Sequence, residues 1–130
     1  MFQLKEIKVA HSKVKSGSDF PDYIQDLIKL GVKKYDTFAI DGHTLYFGEN
    51  NFEIQSEAKY SNLNVADTSN TEKFKQYLKI HQQGQTDYPT FCNHSAEVGV
   101  EKWTVDMNKM TCTYYDKTGF AMLEEKILTP

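Results

Sequence analysis

Sliding the 130-residue sequence along itself by 68 positions brings residues 19–54 into register with residues 87–122 without a gap. Asp19-Phe20-Pro21 falls on Asp87-Tyr88-Pro89, Tyr23 on Phe91, Gly31-Val32 on Gly99-Val100, Lys34-Tyr35 on Lys102-Trp103, Tyr46-Phe47 on Tyr114-Tyr115 and Phe52 on Phe120. Seven of these 36 positions are identical and four more exchange one aromatic ring for another. Self-similarity of this kind predicts an internal duplication, so that whatever one copy folds into constrains the other.

The elements of each copy follow from periodicity and punctuation. Leu4, Ile7, His11 and Val14 recur at helical spacing and predict a first helix ending before Ser16-Gly17-Ser18. Its counterpart carries Phe74, Tyr77, Leu78 and His81, opened by Ser69 with Glu72 as a capping box and closed by Gly84. Asp19 and Asp87, each two residues before a proline, suit caps of second helices that run to Gly31 and Gly99, glycines placed for a left-handed helix end.

Val32 and Val100, directly after these glycines, start strands. Tyr35, Thr37 and Ala39 in one copy, and Trp103, Val105 and Met107 in the other, alternate with polar residues as a strand with one buried face requires. Asp41-Gly42, read as a type I′ turn, and Asn108-Lys109 lead into strands at Thr44–Phe47 and Thr111–Tyr115. Asn50-Asn51 and Lys117-Thr118-Gly119 then lead into third strands around Phe52–Ile54 and Phe120–Ile127, and a polar stretch near Ser61–Asn70 joins the copies.

A helix-helix-meander unit of about 65 residues is marginal alone. The expectation is therefore a single α+β domain over residues 1–130, made of two repeats (about 1–62 and 69–130) related by a pseudo-twofold axis, with six strands. One continuous sheet and two packed sheets are both open. Because Tyr46-Phe47 and Tyr114-Tyr115 alternate across their strands, one ring of each pair faces away from the core side, to line a cleft between the halves, to meet a partner or to lie under helices, the last being the expected outcome.

Composition narrows the function. All 15 basic residues are lysine, against 18 Asp and Glu and a net charge of −3. Without the guanidinium fork that reads guanine edges and clamps phosphates, nucleic acid is not an expected partner. Hydrophobic residues make 39% and aromatics 13% of the chain, enough for a packed core. No apolar run approaches the ~20 residues of a membrane span and the N-terminus lacks a signal-peptide layout, so the expected setting is soluble and cytoplasmic, with Cys92 and Cys112 as free thiols.

The runs Ala66-Asp67-Thr68-Ser69-Asn70, His81-Gln82-Gln83-Gly84-Gln85-Thr86-Asp87-Tyr88-Pro89-Thr90-Phe91-Cys92, Glu101-Lys102-Trp103 and Met110-Thr111-Cys112-Thr113-Tyr114-Tyr115-Asp116 resemble the small bacterial and prophage-associated YbcV-like family, as does Ala10-His11-Ser12-Lys13-Val14-Lys15-Ser16-Gly17. That family has no assigned function and its members often carry the label "phage envelope protein". The resemblance implies a prophage setting and no catalytic residues. The envelope label finds no membrane segment, signal or lipidation motif here to support it.

Cys92-Asn93-His94 places a thiol and an imidazole near a helix start, where the dipole favours a thiolate. At i and i+2 on a helix the two side chains diverge, which disfavours both a nucleophile–base pair and a metal site. His11 and His81 occupy similar places on the first-helix stripes and read as hydrogen-bonded core-edge residues. In Asp41-Gly42-His43 the turn accounts for Asp and Gly, which leaves only His43 as a candidate general base and makes the turn, not catalysis, the expected reading.

Two readings follow. The first is a non-catalytic binding or protein-interaction module, with a protein partner or a second copy as ligand and with no cofactor or metal. The alternative is a small enzyme or ligand-binding protein with a site between the halves formed by His81, Asp87, Tyr88, Cys92 and His94, because Cys92 and His94 replace Ile24 and Asp26 of the first copy.

Overall fold

The structure, a computed structural model, describes residues 1–15 and 17–129; Ser16, in the loop expected over Ser16–Ser18, and Pro130, the end of the second repeat, lie outside the described residues. Four α-helices and six strands occur among the described residues: α1 (Leu4–His11), α2 (Phe20–Leu30), β1 (Lys34–Phe38), β2 (Thr44–Phe47), β3 (Glu53–Gln55), α3 (Thr71–Gln82), α4 (Tyr88–Glu97), β4 (Val100–Asp106), β5 (Thr111–Asp116) and β6 (Ala121–Lys126). The fold is α+β. The strands form one antiparallel sheet in the order β3-β2-β1-β4-β5-β6, so the meanders join edge to edge rather than stack.

Local chemistry sets the element ends. Pro21 and Pro89 sit in the first turns of α2 and α4, and Gly31 takes φ 100° just past α2. Asp87 caps α4 by accepting from the Thr90 amide at 2.9 Å. Asp19 does otherwise, accepting from the Lys15 amide at 2.8 Å and closing the loop before its helix. The Ser69 cap expected for α3 is displaced by one residue. Asn70 accepts from the Lys73 amide at 3.1 Å, while the Ser69 hydroxyl goes to Asp116 at 2.9 Å. α1 stops at His11, short of Val14: the Ser12 hydroxyl bonds back to the Val9 carbonyl at 2.6 Å, a local competitor of helix propagation.

The first hairpin also departs from expectation. Between β1 and β2 Phe38 N–H donates to the His43 carbonyl at 3.0 Å, closing a loop of the four residues between them, of which only Gly42 has positive φ, 76°. Asp41 is occupied elsewhere: its carbonyl accepts from the Lys59 and Tyr60 amides at 2.7 and 3.3 Å. The turn with two left-handed central residues is the next one, at Asn50 (φ 56°) and Asn51 (φ 62°), closed by Phe52 N–H on the Glu49 carbonyl at 3.0 Å.

At the centre of the sheet Asp36 lies opposite Thr104, 68 residues on. The Ala39 N–H to Glu101 carbonyl bond (2.9 Å) is matched by Met107 N–H to Lys33 (3.0 Å), and Gly48 N–H to Phe52 (2.8 Å) by Asp116 N–H to Phe120 (3.0 Å). Every residue in the second bond of each pair lies 68 positions from its counterpart. The backbone pairing is thus approximately twofold about Asp36–Thr104.

The helices pack on one face. Tyr35, Trp103, Val105, Cys112 and Tyr114 point into a core shared with Ile24 and Leu27 of α2, Phe74 and Leu78 of α3, and Phe91 and Cys92 of α4. Phe74 lies 4.8 Å from Tyr114 and Phe91 5.7 Å from Trp103, ring centre to ring centre. The alternate residues, Phe38, Leu45, Phe47 and Tyr115 among them, stay outside this core and half-buried on the other face. Among the described residues no helix packs on that face, contrary to the expected coverage. Four short helices are consumed in covering a single six-stranded face.

Candidate functional site

The five residues singled out between positions 81 and 94 separate into three places. His81 stacks on Phe91 (4.5 Å) in the seam between α3 and α4, its Nδ1 held near the Thr86 carbonyl and hydroxyl at 3.1 and 3.2 Å. His94 stacks on Tyr77 (3.9 Å) along the same seam, its Nδ1 buried with no hydrogen-bond partner among the described residues. Asp87 serves its helix end, and the hydrogen bond from Thr90 lowers its carboxyl below the usual range.

Cys92 and Tyr88 do come together. Cys92 is fully buried, with the hydroxyls of Tyr60 and Tyr88 near enough to its thiol to act on its ionisation. Burial pushes the thiol up against the weaker opposing pull of those hydroxyls. Tyr88 is 47% exposed as a residue, yet its hydroxyl is sunk beside the thiol and burial raises it well above the ordinary phenol range. Tyr60, also raised by burial, donates to the Ala39 carbonyl at 2.7 Å and ties the connecting segment to β1. Periodicity could not find Tyr60, which sits in irregular chain between β3 and α3. A thiol held neutral and sealed from solvent is a poor nucleophile.

The helix-free face holds the other assembly. In strand order across β2, β1, β4 and β5, His43, Phe38, Lys102 and Tyr115 form one row, about 14 Å long at ordinary strand spacing. The His43 ring stacks on Phe38 at 4.5 Å, and the Lys102 ammonium lies over Phe38 (5.9 Å) and Tyr115 (5.7 Å). Lys102 is 3.8 Å from the Asp36 carboxylate, which also accepts from the Thr104 hydroxyl at 2.6 Å.

Asp41 orients the imidazole. Its Oδ1 lies 2.5 Å from His43 Nδ1 and accepts from the His43 amide at 3.0 Å. Burial works to raise the Asp41 carboxyl, but the bonds from His43 outweigh it and the net shift is downward. An ionised carboxylate only accepts, so Nδ1 carries the proton and Nε2 is left without a protein partner among the described residues. The positions 68 residues away, Thr111, Asp106, Lys34 and Phe47, make the corresponding row: it keeps the lysine over a ring (4.9 Å) and lacks the imidazole. The imidazole and its Asp41 thus belong to one of the two rows alone.

The surface is hollowed on both sides of the sheet. One hollow, of about 500 Å³, lies on the helix-free face and is lined by Asp36, Lys102, Thr104, Tyr115 and the loop Lys117–Gly119 among others. Another, of about 630 Å³, lies between the N-terminal residues Met1–Leu4 and Phe52, Ile54 and Gln55 at the β3 edge. Among the described residues no three His, Cys, Asp or Glu side chains are grouped to hold a metal ion, and no helix is long and apolar enough to cross a membrane.

A family model described as a protein of unknown function, DUF1398, matches residues 8–126. The chain belongs to that family. The match runs from within α1 to the end of β6, so both helix pairs and the whole sheet are family structure. No curated protein matches the chain.

Proposed function

We propose that this chain is a non-catalytic binding module, a protein-interaction component of prophage origin that works in the cytoplasm, built from two copies of one helix-helix-meander unit. One observation carries the reading: the single thiol near a helix start is sealed under Tyr60 and Tyr88, while one whole face of the sheet is left without a covering layer. The resemblance to YbcV-like proteins supports the prophage setting, and the repeated backbone pairing supports the duplication.

A second reading rests on a separate observation. Tyr60 and Tyr88 converge on Cys92 beside the connecting segment, which keeps alive a small enzyme or ligand-binding protein centred on the 81–94 segment, with His81, Asp87, Tyr88, Cys92 and His94 as its residues. Panning the full-length protein against a displayed random-peptide library, with calorimetry on the enriched sequences, tests the two. A binding module yields peptides that bind Cys92→Ser as well as the parent. Turnover of an ester or amide panel that Cys92→Ser abolishes overturns the first reading and leaves the second.

A further inference from the structure

We propose that the β3 edge, with the hollow beside it, is a docking groove for an extended segment of a partner protein carrying one bulky apolar residue next to a basic one; this rests on the reading of the chain as a binding module. Phe52 and Ser56 are bonded to β2, through Gly48 N–H to the Phe52 carbonyl and Ser56 N–H to the Thr44 carbonyl, both 2.8 Å, and Ile54 lies opposite Tyr46. By antiparallel alternation the N–H and C=O groups of Glu53 and Gln55 point away from the sheet. Nothing among the described residues pairs with them there.

On the helix side of this edge the N-terminal residues stand off from the strand and leave the 630 Å³ hollow. Its inner wall is held firmly. Phe2 meets Phe52 edge-on at 4.9 Å and lies over Gly48, where a Cβ would come within 2.6 Å of the Phe2 ring. The opposite edge of the sheet is defended: β6 carries Glu124, Glu125 and Lys126, the register slips at Tyr114/Tyr115, and Gln82 reaches across to Glu125 at 3.1 Å. β3 has no lysine, proline or register slip, and its protection is confined to its three-residue length and the single charge of Glu53.

Shape selects the occupant. Two copies joined β3 to β3 would set hollow against hollow, with Ile54 facing Ile54 and both cavities unfilled. A single extended strand pairs its backbone with Glu53 and Gln55 and drops one large apolar side chain into the hollow. Its neighbours on either side alternate to the helix-free face. There the exposed Glu53 carboxylate, without an ion-pair partner among the described residues, favours one basic residue, on whichever side the strand direction sets against it.

The probe is an end-blocked peptide with phenylalanine at its centre, lysine on each side and threonine beyond, titrated into the isotope-labelled full chain. The Glu53 and Gln55 amides are expected to shift and to exchange with solvent at least tenfold more slowly at saturation, with the β6 amides unchanged. Gln55→Pro removes an outward N–H that an edge strand can spare, and it is expected to weaken binding at least tenfold with the rest of the spectrum retained. Replacing the peptide's phenylalanine by glycine is expected to do the same without touching the protein. Unaltered binding by Gln55→Pro, or shifts confined to Lys102 and Tyr115, overturns the groove and leaves the module standing. Self-association of the free chain that Gln55→Pro abolishes gives the edge to a second copy and also overturns it. If no displayed peptide binds anywhere, both proposals fall.

Discussion

At the scale of single residues the structure places its constraints where backbone meets backbone. Gly99 has φ 88°, and a Cβ there would lie 2.8 Å from both the Thr68 carbonyl oxygen and the Ser69 Cα, neither of which can swing aside. The connecting segment is also anchored here, by Asn70 N–H on the Val98 carbonyl at 2.9 Å. Gly99→Ala is therefore expected to cost about 2 kcal/mol or more from left-handed strain together with the clash, read as a lowered urea midpoint. A midpoint within error of the parent would show that the segment yields. The thiols make a second prediction. Burial pushes Cys112 up to about 12 and raises Cys92 as well. Iodoacetamide at mildly alkaline pH is expected to leave both unlabelled in the folded chain and to label both in denaturant. Fast labelling of folded Cys92 would restore it as a candidate nucleophile.

At the scale of elements, what was legible in the sequence is what glycine, proline and ring spacing punctuate. Pro21, Pro89, Gly31 and Gly99 mark the second helices, and the alternation through Trp103, Val105 and Met107 marks a strand with one buried face, because each follows from local backbone geometry. The misplaced features depend on competition for a side chain. Ser69 lost its capping role to Asp116, and Asp41 left the turn chemistry to orient His43. The bare second face was not legible because the count of helices says nothing of the side they take. Tyr60 and the His43–Lys102 row need strand order, which periodicity does not contain. The hairpins themselves are testable: Asn51 holds φ 62° at an exposed turn position, where glycine has no side chain to strain. Asn51→Gly is expected to raise stability by about 0.5–1 kcal/mol, seen as a higher urea midpoint with an unchanged slope. A fall would mean that the Asn51 side chain contributes a contact outweighing its backbone cost.

At the scale of the whole molecule, ionisable groups bound stability on both sides of neutrality. The Asp116 carboxyl is lowered chiefly by its bond from Thr118, and Asp87 by its bond from Thr90. The unfolded chain therefore binds protons at these sites more readily than the folded one, and their stabilisation is complete above the ordinary carboxylate range and lost as pH falls through the lowered values. The interior works in the opposite sense. Burial raises Tyr35, Tyr114 and both thiols, so the folded chain keeps protons that the unfolded chain releases, and stability falls as pH rises past the ordinary thiol and phenol values. A plateau between about pH 5 and 8 with losses on either side is expected when urea midpoints are measured across the range. The two limbs separate by substitution. Asp116→Asn should flatten the acid limb, since the folded state then has one fewer lowered carboxyl to protonate, and it should leave the alkaline limb in place. An alkaline limb that moves with Asp116→Asn, or a midpoint still rising above pH 9 in the parent, would contradict the assignment of that limb to the buried phenols and thiols beneath the sheet.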